Sequence, residues 1–352
     1  MKKYQFVETY ANTRNAGSKA PQDIEFIANK LEFEPLKIIL GKEKGSFSKI
    51  SNQLSFITQW EKAYNAISSN SIVLLQYPKY GRQINRLHCL KKLKERKNVH
   101  FVSVIHDVNE LRNIDQKKSL RNEFEFVIKN SDYVILHNKS MIDYFVKRGI
   151  DPKKLVNLQI FDYLRNNYIS DFPVFSTTIN IAGNLDTNKS EYLKYLDKVD
   201  NNFQLFGPNF SLNSYSNVIY GGSFKPSEIP NVLNSGYGLI WDGTSIHSCE
   251  GSFGNYLKYN NPHKLSLYLA SNLPVIIWSK AAEANFVKEN GIGLLIDDLS
   301  KLPNILSQIS KEEYLTMCSN VQKIAKNLSN GFYMTSALNT VITKIENNLN
   351  DE

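Results

Sequence analysis

The sequence predicts an α/β protein made of two doubly wound, Rossmann-like domains that face each other across a cleft. At 352 residues the chain exceeds the roughly 250–300 residues beyond which single hydrophobic cores stop growing. Short, nearly continuous apolar runs alternate with amphipathic segments of helical length, which is typical of parallel sheets covered on both faces. The alternation falters over 158–175 and then restarts. We therefore expect one domain over 1–165 and a second over 166–330.

Each apolar run predicts a strand, and each amphipathic segment predicts a helix. In the first half, strands are expected at 4–9, 35–40, 71–77, 100–106 and 132–138, with helices near 20–31, 49–67, 84–97, 119–130 and 139–149. In the second half, strands are expected at 178–183, 202–207, 217–222, 237–243, 273–279 and 291–297, with helices near 188–198, 225–235, 262–271 and 281–290. Helical sequence over 311–349, broken at 329–332, follows. Because ligands of such sheets bind at the carboxyl ends of the strands, the residues after each strand are the candidate site residues.

Bulk composition restricts the class of partner and the compartment. The formal net charge is +8, but the densest basic run, at 91–97, is predicted to be a solvated helix face rather than a nucleic-acid site. The basic excess suits an anionic partner such as a sugar nucleotide or a membrane surface. Three separated cysteines without metal spacing indicate a reducing compartment. With no apolar signal region and no run of about 18 apolar residues, we expect a cytoplasmic protein, which leaves open peripheral contact with the inner face of the membrane.

In each predicted domain, a glycine-containing loop follows the first strand. In the first loop Gly17 allows a close backbone approach, and Ser18 can cap the helix whose N-terminus presents donors to an anion. In the second, Gly183 and Asn184 stand between a strand and a helix, where a phosphate or ribose can approach the backbone. The first loop carries neither a Walker A nor a GxGxxG motif, so an ordinary strand-to-helix loop is the alternative there.

Other polar residues follow strands of the first half. His106 and Asp107 end the strand at 100–106, where either is suited to act as a base or to bind an acceptor hydroxyl. Consecutive residues of a strand point in opposite directions, so the two are not expected to form a dyad. Tyr77, Tyr80 and Arg82 follow another strand and are predicted to line the cleft on the acceptor side.

In the second half, charged groups stand at the end of one strand and at the start of one helix. Asp242 is suited to engage a sugar hydroxyl, and a plain Asp-Gly turn is the alternative. Asn261 can cap the helix that begins near 262, and His263 and Lys264 lie in its first turn. Cations are disfavoured at a helix N-terminus, where the dipole is already positive. Two of them there predict that a diphosphate binds and neutralises both. Lys189, within the predicted helix near 188–198, is expected to be exposed.

The segment NNPHKLSLYLASNLPVII, at 260–277, resembles the donor-site segment of bacterial GT-B sugar transferases. The group comprises galactofuranosyltransferases and the glucosyltransferase that extends O-linked GlcNAc on streptococcal serine-rich adhesins. Further segments match in the expected order over most of the chain. They are VIHDV (104–108), SDYVILHNKSMIDYFVKRG (131–149), IAGNL (181–185), YGLIWDG (237–243) and ENGIGLLID (289–297).

The resemblance implies a GT-B fold, a UDP-sugar donor held mainly by the second domain, and an acceptor held by the first. It also implies that a helix over about 331–352 crosses back to complete the first domain, and that the protein forms a homo-oligomer. It implies that Asn261, His263 and Lys264 contact the donor's phosphates or sugar, and that Gly183 and Asn184 lie near the nucleotide. It also implies that Gly17 and Ser18 lie on the loop that faces them across the cleft, and that Asp242 lies near the sugar.

The sequence departs from the family pattern at several places, among them the loop LDTNKS (185–190), which lacks the arginine that some relatives carry. Asn272 replaces the usual glycine after the helix, and asparagine is the next-best residue for a left-handed backbone. Tyr259 and Leu267 stand where the large retaining GT-B families carry a glutamate pair, so the resemblance assigns neither retention nor inversion.

The predicted function is a glycosyltransferase that moves a hexosyl group, with galactofuranose favoured, from a UDP-sugar to a saccharide acceptor. The acceptor would be a glycan, a lipid-linked intermediate or a glycoprotein. No DxD motif ends a strand, so we expect a metal-independent enzyme without a cofactor. The alternatives are a UDP-glucose-dependent enzyme that extends O-linked GlcNAc, an epimerase of similar architecture, and a non-catalytic glycan-binding subunit of a transferase complex.

Overall fold

The computed structural model describes residues 1–10, 19–41, 46–78, 81, 83–112, 118–165, 171–211 and 215–350. These residues form two six-stranded, wholly parallel sheets flanked by helices. The strands are β1 (Lys3–Tyr10), β2 (Glu34–Leu40), β3 (Ile72–Tyr77), β4 (His100–Ile105), β5 (Tyr133–Leu136), β6 (Leu155–Asn157), β7 (Val174–Ala182), β8 (Phe203–Phe206), β9 (Val218–Gly222), β10 (Ser235–Ile240), β11 (Val275–Trp278) and β12 (Gly293–Ile296).

The α-helices pack on both faces of the sheets, as continuous apolar strands require. They are α1 (Lys19–Lys30), α2 (Ser46–Ala66), α3 (Arg86–Lys97), α4 (Lys118–Asn130), α5 (Lys139–Lys147), α6 (Gly251–Tyr256), α7 (His263–Ala270), α8 (Ala284–Asn290), α9 (Leu302–Ser307), α10 (Lys311–Asn330) and α11 (Phe332–Asn350). The two sheets and their flanking helices confirm the predicted doubly wound fold class.

The strand order places a topological switch point in each sheet. The first sheet runs β2-β1-β3-β4-β5-β6, so the order in which successive strands are added reverses between β1 and β3. The second runs β12-β11-β10-β7-β8-β9, so that order reverses between β7 and β10. Crevices open at the carboxyl ends of the strands at such points, and ligands of open α/β sheets bind there.

Three local predictions fail for identifiable reasons. The helix expected over 225–235 is only a short 3₁₀ helix at Ile229–Asn231, because Pro226 and Pro230 remove backbone donors. The helix expected over 188–198 is a 3₁₀ helix that begins at Glu191, so Lys189 precedes it. Strand β6 was missed because three residues give no detectable periodicity.

A hydrophobic core joins the two sheets. It runs from one face of the first sheet through 158–163 to the second sheet, while a separate cluster covers the other face of the first sheet. Helix α10 ends at Gly331, whose φ is +76° and where a side chain would lie 2.7 Å from Ile27 of α1. Helix α11 then packs against α1, and Asp162 accepts hydrogen bonds from the first backbone N–H groups of α11. The last helix is therefore fixed to the first domain.

The turn after α7 forms as the sequence predicts. Asn272 has a φ of +61°, the left-handed conformation expected of the residue that replaces glycine there. Within the described ranges, none of the helices combines the length and apolar character that crossing a bilayer would require.

Candidate active site

A cavity of about 320 Å³ opens between the domains, at the switch point of the first sheet. Glu8, Gln76 and His106 line it from the strand ends of that sheet. Asn261 and His263 line it from the second domain, together with the loop that precedes α7. We call this space the interdomain cavity.

A smaller pocket of about 80 Å³ lies at the switch point of the second sheet. Its lining includes Gly183, Asn184, Lys189, Asp242 and Lys264, and we call it the lysine pocket. Gly183 has a φ of +145° and open space where a side chain would begin, so a ligand can approach its backbone. The structure thus brings four predicted residues together. It adds Lys189, which was wrongly expected to be exposed.

The lysine pocket holds more positive than negative charge. The Lys264 Nζ donates to the Trp241 carbonyl oxygen at 3.1 Å and lies 3.9 Å from Asp242 Oδ2. The other carboxylate oxygen of Asp242 accepts from Ser190 Oγ and the Gly243 N–H, both at 3.0 Å. These contacts fix the carboxylate, and the pocket's two lysines exceed its one carboxylate. The arrangement suits an anionic ligand.

The Lys189 ammonium is partly buried in this pocket and lies near other cations. Burial lowers its pKa, Lys264 and Arg112 add to that effect, and Asp242 opposes it. The Lys189 Nζ lies 4.9 Å from the Phe253 ring centroid, and the Arg112 guanidinium of the first domain lies 5.6 Å from the same ring. An anion bound between these cations would relieve their repulsion.

His263 does not share the environment of Lys264. Its side chain lines the interdomain cavity, whereas Lys264 lines the lysine pocket. Burial lowers the pKa of His263 to about 3, so the imidazole is neutral at neutral pH. The ring centroids of His263 and Tyr163 are 5.3 Å apart. The prediction that one diphosphate neutralises two adjacent cations is therefore wrong for His263, because folding removes its charge.

Three buried polar atoms in the interdomain cavity find no hydrogen-bond partner among the described residues. They are the side-chain oxygens of Asn260 and Asn261 and the Nε2 of His263. The Asn261 Nδ2 donates to the Gln159 carbonyl oxygen at 3.2 Å, which establishes the orientation of that amide. Buried acceptors without partners are costly unless a ligand donates to them, and sugar hydroxyls are suitable donors.

His106 and Asp107 both line the interdomain cavity, but their side chains have different partners. The His106 Nε2 lies 2.7 Å from Gln76 Oε1. Because the Gln76 Nε2 donates to the Pro21 carbonyl oxygen, its Oε1 must accept and the His106 Nε2 must carry the proton. Burial lowers the pKa of His106 to about 4, so the imidazole holds a second proton only weakly at neutral pH.

Asp107 joins the two domains at the edge of the interdomain cavity. Its Oδ2 lies 2.9 Å from Arg112 Nη1. Burial raises the pKa of Asp107, while Arg112, the Tyr256 hydroxyl and Lys189 lower it. The Tyr256 hydroxyl also accepts from the Val108 N–H at 3.0 Å. The carboxylate therefore lies between the interdomain cavity and the cations around the lysine pocket.

Tyr77 does not line the cleft. It is buried, its ring packs 5.1 Å from that of Phe124, and its hydroxyl donates to the Leu120 carbonyl oxygen at 3.2 Å. Tyr77 is the last residue of β3, and successive side chains of a strand alternate between faces. Gln76 consequently faces the cavity, and Tyr77 faces the core.

The remaining predicted site residues, Gly17, Ser18, Tyr80 and Arg82, lie outside the described residues. Within the described part of the chain, no three His, Cys, Asp or Glu side chains converge as metal ligands would. Metal independence stays a prediction.

The loop before α7 is held against the first domain by a pair of residues after β5. The His137 Nδ1 accepts from the Asn261 N–H at 2.8 Å. The Asn138 Nδ2 donates to the Tyr259 carbonyl oxygen at 3.0 Å and to the Glu283 carboxyl at 2.9 Å. These contacts cross the domain interface directly behind the interdomain cavity.

Glu283 is expected to make stability fall as pH rises above neutrality. Burial raises its pKa to about 8, while Asn138 opposes the shift. Because the pKa is higher in the folded state, the unfolded chain loses this proton at a lower pH than the folded protein does. The stability that the protonated carboxyl contributes is therefore lost as pH rises from the unfolded-state pKa to about 8. Between pH 6.5 and 8.5 the loss should be about 2 kcal/mol.

Glu283→Gln should remove this loss, as measured by urea unfolding across that pH range. The matched control is Glu289→Gln, which changes an exposed carboxyl at the other end of α8 and should keep the wild-type slope. A Glu283→Gln slope equal to that of wild type would contradict the account.

Family models cover almost all of the chain. The Glucosyltransferase 3-like N-terminal domain matches residues 3–160, and the Glucosyltransferase 3-like C-terminal domain matches residues 179–341. The β-1,6-galactofuranosyltransferase WbbI of Escherichia coli K12 is 31% identical over 342 residues, which are 95% of this chain and 96% of that protein. The chain belongs to the Glucosyltransferase 3-like family. It is a glycosyltransferase of the group that its motifs resemble.

One further relative and one solved structure are similar to this chain. Glucosyltransferase 3 of Streptococcus gordonii is 24% identical over 333 residues, 93% of this chain and 94% of that protein. Anabaena HepE, solved in complex with UDP and glucose, superposes with a TM-score of 0.61 at 13% identity, covering 99% of this chain and all of HepE. The structural likeness supports the GT-B fold.

Sequence reasoning missed several residues that face the two cavities of this transferase. Glu8 and Gln76 lie inside strands rather than after them, so a search of the following loops passed over both. Lys189 was hidden by a helix prediction that began too early. Arg112, which lies beside the two cavities, follows β4 by seven positions, and its placement depends on contacts with Asp107 and with Phe253, which is distant in sequence.

Proposed function

We propose that this family member transfers a hexosyl group, with galactofuranose favoured, from a UDP-sugar to a saccharide acceptor. The observation that carries the proposal is the lysine pocket at the switch point of the second sheet. Lys189 and Lys264 converge there beside the open backbone of Gly183. The choice of sugar is supported by the 31% identity to the galactofuranosyltransferase WbbI.

In the proposed reaction the diphosphate of the donor lies in the lysine pocket. The bond from the anomeric carbon to the β-phosphate oxygen breaks, and the electron pair stays on that oxygen. Lys264 and Lys189 stabilise the charge that develops there, which is usually the largest catalytic term. The unpartnered acceptors of Asn260, Asn261 and His263 receive hydrogen bonds from sugar hydroxyls in the interdomain cavity. The two cavities thus divide the phosphate and the sugar between them.

A glucosyltransferase that extends a glycoprotein glycan is the second candidate. It is favoured by the match to Glucosyltransferase 3 over 93% of this chain. The two candidates differ in ring form and epimer, which a few contacts in the interdomain cavity would decide. For either candidate, a lipid-linked or protein-linked acceptor, peripheral membrane contact and a homo-oligomer stay predictions.

A donor panel tests the proposal. UDP release and product formation would be measured with UDP-galactofuranose, UDP-galactose, UDP-glucose and UDP-GlcNAc, each with galactoside and GlcNAc-terminated acceptors. We expect the highest kcat/KM with UDP-galactofuranose and no loss of rate with a chelator. Preference for UDP-glucose and the GlcNAc acceptor would establish the second candidate instead. Failure to bind UDP or to release it from any donor would refute the enzyme proposal.

A further inference from the structure

A carboxylate that no motif singled out faces the interdomain cavity. Glu8 lies near the carboxyl end of β1, beside the switch point between β1 and β3. Its side chain is only 9% exposed and lines the cavity together with Gln76 and His106. Glu8 therefore occupies the position at which sheets of this kind bind their ligands.

Donors behind Glu8 hold its carboxylate in place. The Gln83 Nε2 donates to Glu8 Oε2 at 2.8 Å. The orientation of that amide is fixed because its Oε1 accepts from Trp60 Nε1 at 3.1 Å. On the other side, Arg86 Nη1 lies 3.4 Å from Glu8 Oε1. The side chain is thus ordered before any acceptor binds, as a proton-transfer group must be.

One guanidinium serves two carboxylates in this cluster. Arg86 Nη1 also donates to Glu123 Oε1, at the shorter distance of 3.1 Å. Arg86 and Glu123 are both almost fully buried, but Glu123 is not among the residues that line the cavity. Of the two carboxylates, Glu8 is the one that lines the cavity. The Glu8 carboxylate is therefore a hydrogen-bond acceptor in the lining of the interdomain cavity.

The two alternative bases are less well placed. The His106 Nε2 proton is committed to Gln76, and burial leaves the imidazole a weak base at neutral pH. Asp107 is engaged by Arg112 at 2.9 Å and by Tyr256 at the domain junction. Glu8 lies near the carboxyl end of β1, beside the switch point of the first sheet, and Gln83 and Arg86 hold its carboxylate.

We propose that Glu8 is the catalytic base that accepts the proton of the attacking acceptor hydroxyl, an inference that rests on the proposed transferase function. The hydroxyl oxygen forms the new bond to the anomeric carbon, and its proton passes to the Glu8 carboxylate. The bond to the diphosphate breaks at the same carbon, and UDP leaves with the electron pair. Gln83 and Arg86 hold the carboxylate in position throughout.

The test compares Glu8→Gln with Glu123→Gln, because both change a carboxylate on Arg86 but only Glu8 lines the cavity. Glu8→Gln should lower kcat by about 10²–10⁴-fold and abolish the acidic limb of the kcat–pH profile. The affinity for UDP should stay within roughly threefold of wild type, because the lysine pocket is untouched. Glu123→Gln should cost stability and leave kcat within roughly threefold. Glu8→Asp, which keeps a carboxylate, should retain the acidic limb and more activity than Glu8→Gln.

Each outcome separates this inference from the proposed function. If wild type releases no UDP from any donor, the transferase proposal itself fails. If wild type transfers sugar and Glu8→Gln matches it, the role of Glu8 alone is overturned. Equal losses in Glu8→Gln and Glu123→Gln would show a structural cluster rather than a base. Loss of the acidic limb in Asp107→Asn but not in Glu8→Gln would move the role to Asp107. Should Glu8→Gln fail to fold, the pH profile of Glu8→Asp decides between the same outcomes.

Discussion

Lys264→Ala is expected to lower kcat/KM for the UDP-sugar by about 10²–10³-fold. The ammonium now donates to the Trp241 carbonyl oxygen and lies 3.9 Å from Asp242, in a pocket that a second lysine shares. The proposed diphosphate would replace these partners, and the charge on it grows as the glycosidic bond breaks. Removing the cation therefore costs more in the transition state than in the ground state.

The measurement is steady-state transfer kinetics, paired with a UDP titration and a melting curve. Lys194→Ala is the matched control, because Lys194 lies on the neighbouring 3₁₀ helix, is 43% exposed and pairs with Glu191 at 3.7 Å. It should leave all three readings unchanged. A Lys264→Ala enzyme with wild-type kcat/KM would contradict the assignment of the lysine pocket to the diphosphate.

Arg86→Met is expected to destabilise the protein by about 3–5 kcal/mol. Methionine keeps much of the packing against Trp60, whose ring centroid lies 5.6 Å from the guanidinium carbon. It removes the positive charge that lies 3.1 Å from Glu123 and 3.4 Å from Glu8, and all three side chains are at least nine-tenths buried. Two buried carboxylates that lose their shared guanidinium in a low-dielectric interior are the source of the cost.

The chain supplies its own control for this substitution. Arg148 also bridges two carboxylates, Glu110 and Glu125, but at the surface, where its side chain is 29% exposed. Arg148→Met should cost no more than about 1 kcal/mol. Urea unfolding of both variants at one pH measures the difference. Equal losses would show that burial does not determine the energetics of the Arg86 cluster.

The fold was predictable because the signals that determine it are local. Apolar runs bounded by helical patterns gave the strands of both sheets except β6, and restarting of the pattern after 175 indicated a second sheet. The residues that the prediction misplaced depend on details that periodicity does not carry. Pro226 and Pro230 prevent a helix where the apolar pattern is helical. Successive side chains of β3 point to opposite faces, so Tyr77 packs in the core and Gln76 lines the cavity.

The site was predictable where a residue follows a strand directly or breaks a rule of helix electrostatics. Gly183 and Asp242 follow strands, Lys264 is a cation in the first turn of α7, and the structure brings the three together. The charge state of His263 could not be predicted, because its pKa depends on burial by side chains distant in sequence. Lys189 and Glu8 were missed for a similar reason, since tertiary packing alone brings each of them to its cavity.

A crystal structure of the UDP complex tests most directly whether the diphosphate binds in the lysine pocket rather than in the interdomain cavity. The account predicts that the diphosphate lies within hydrogen-bond distance of Lys264 and Lys189, with the interdomain cavity left for the sugar and the acceptor. A diphosphate bound instead in the interdomain cavity, against His263 and Asn261, would contradict it.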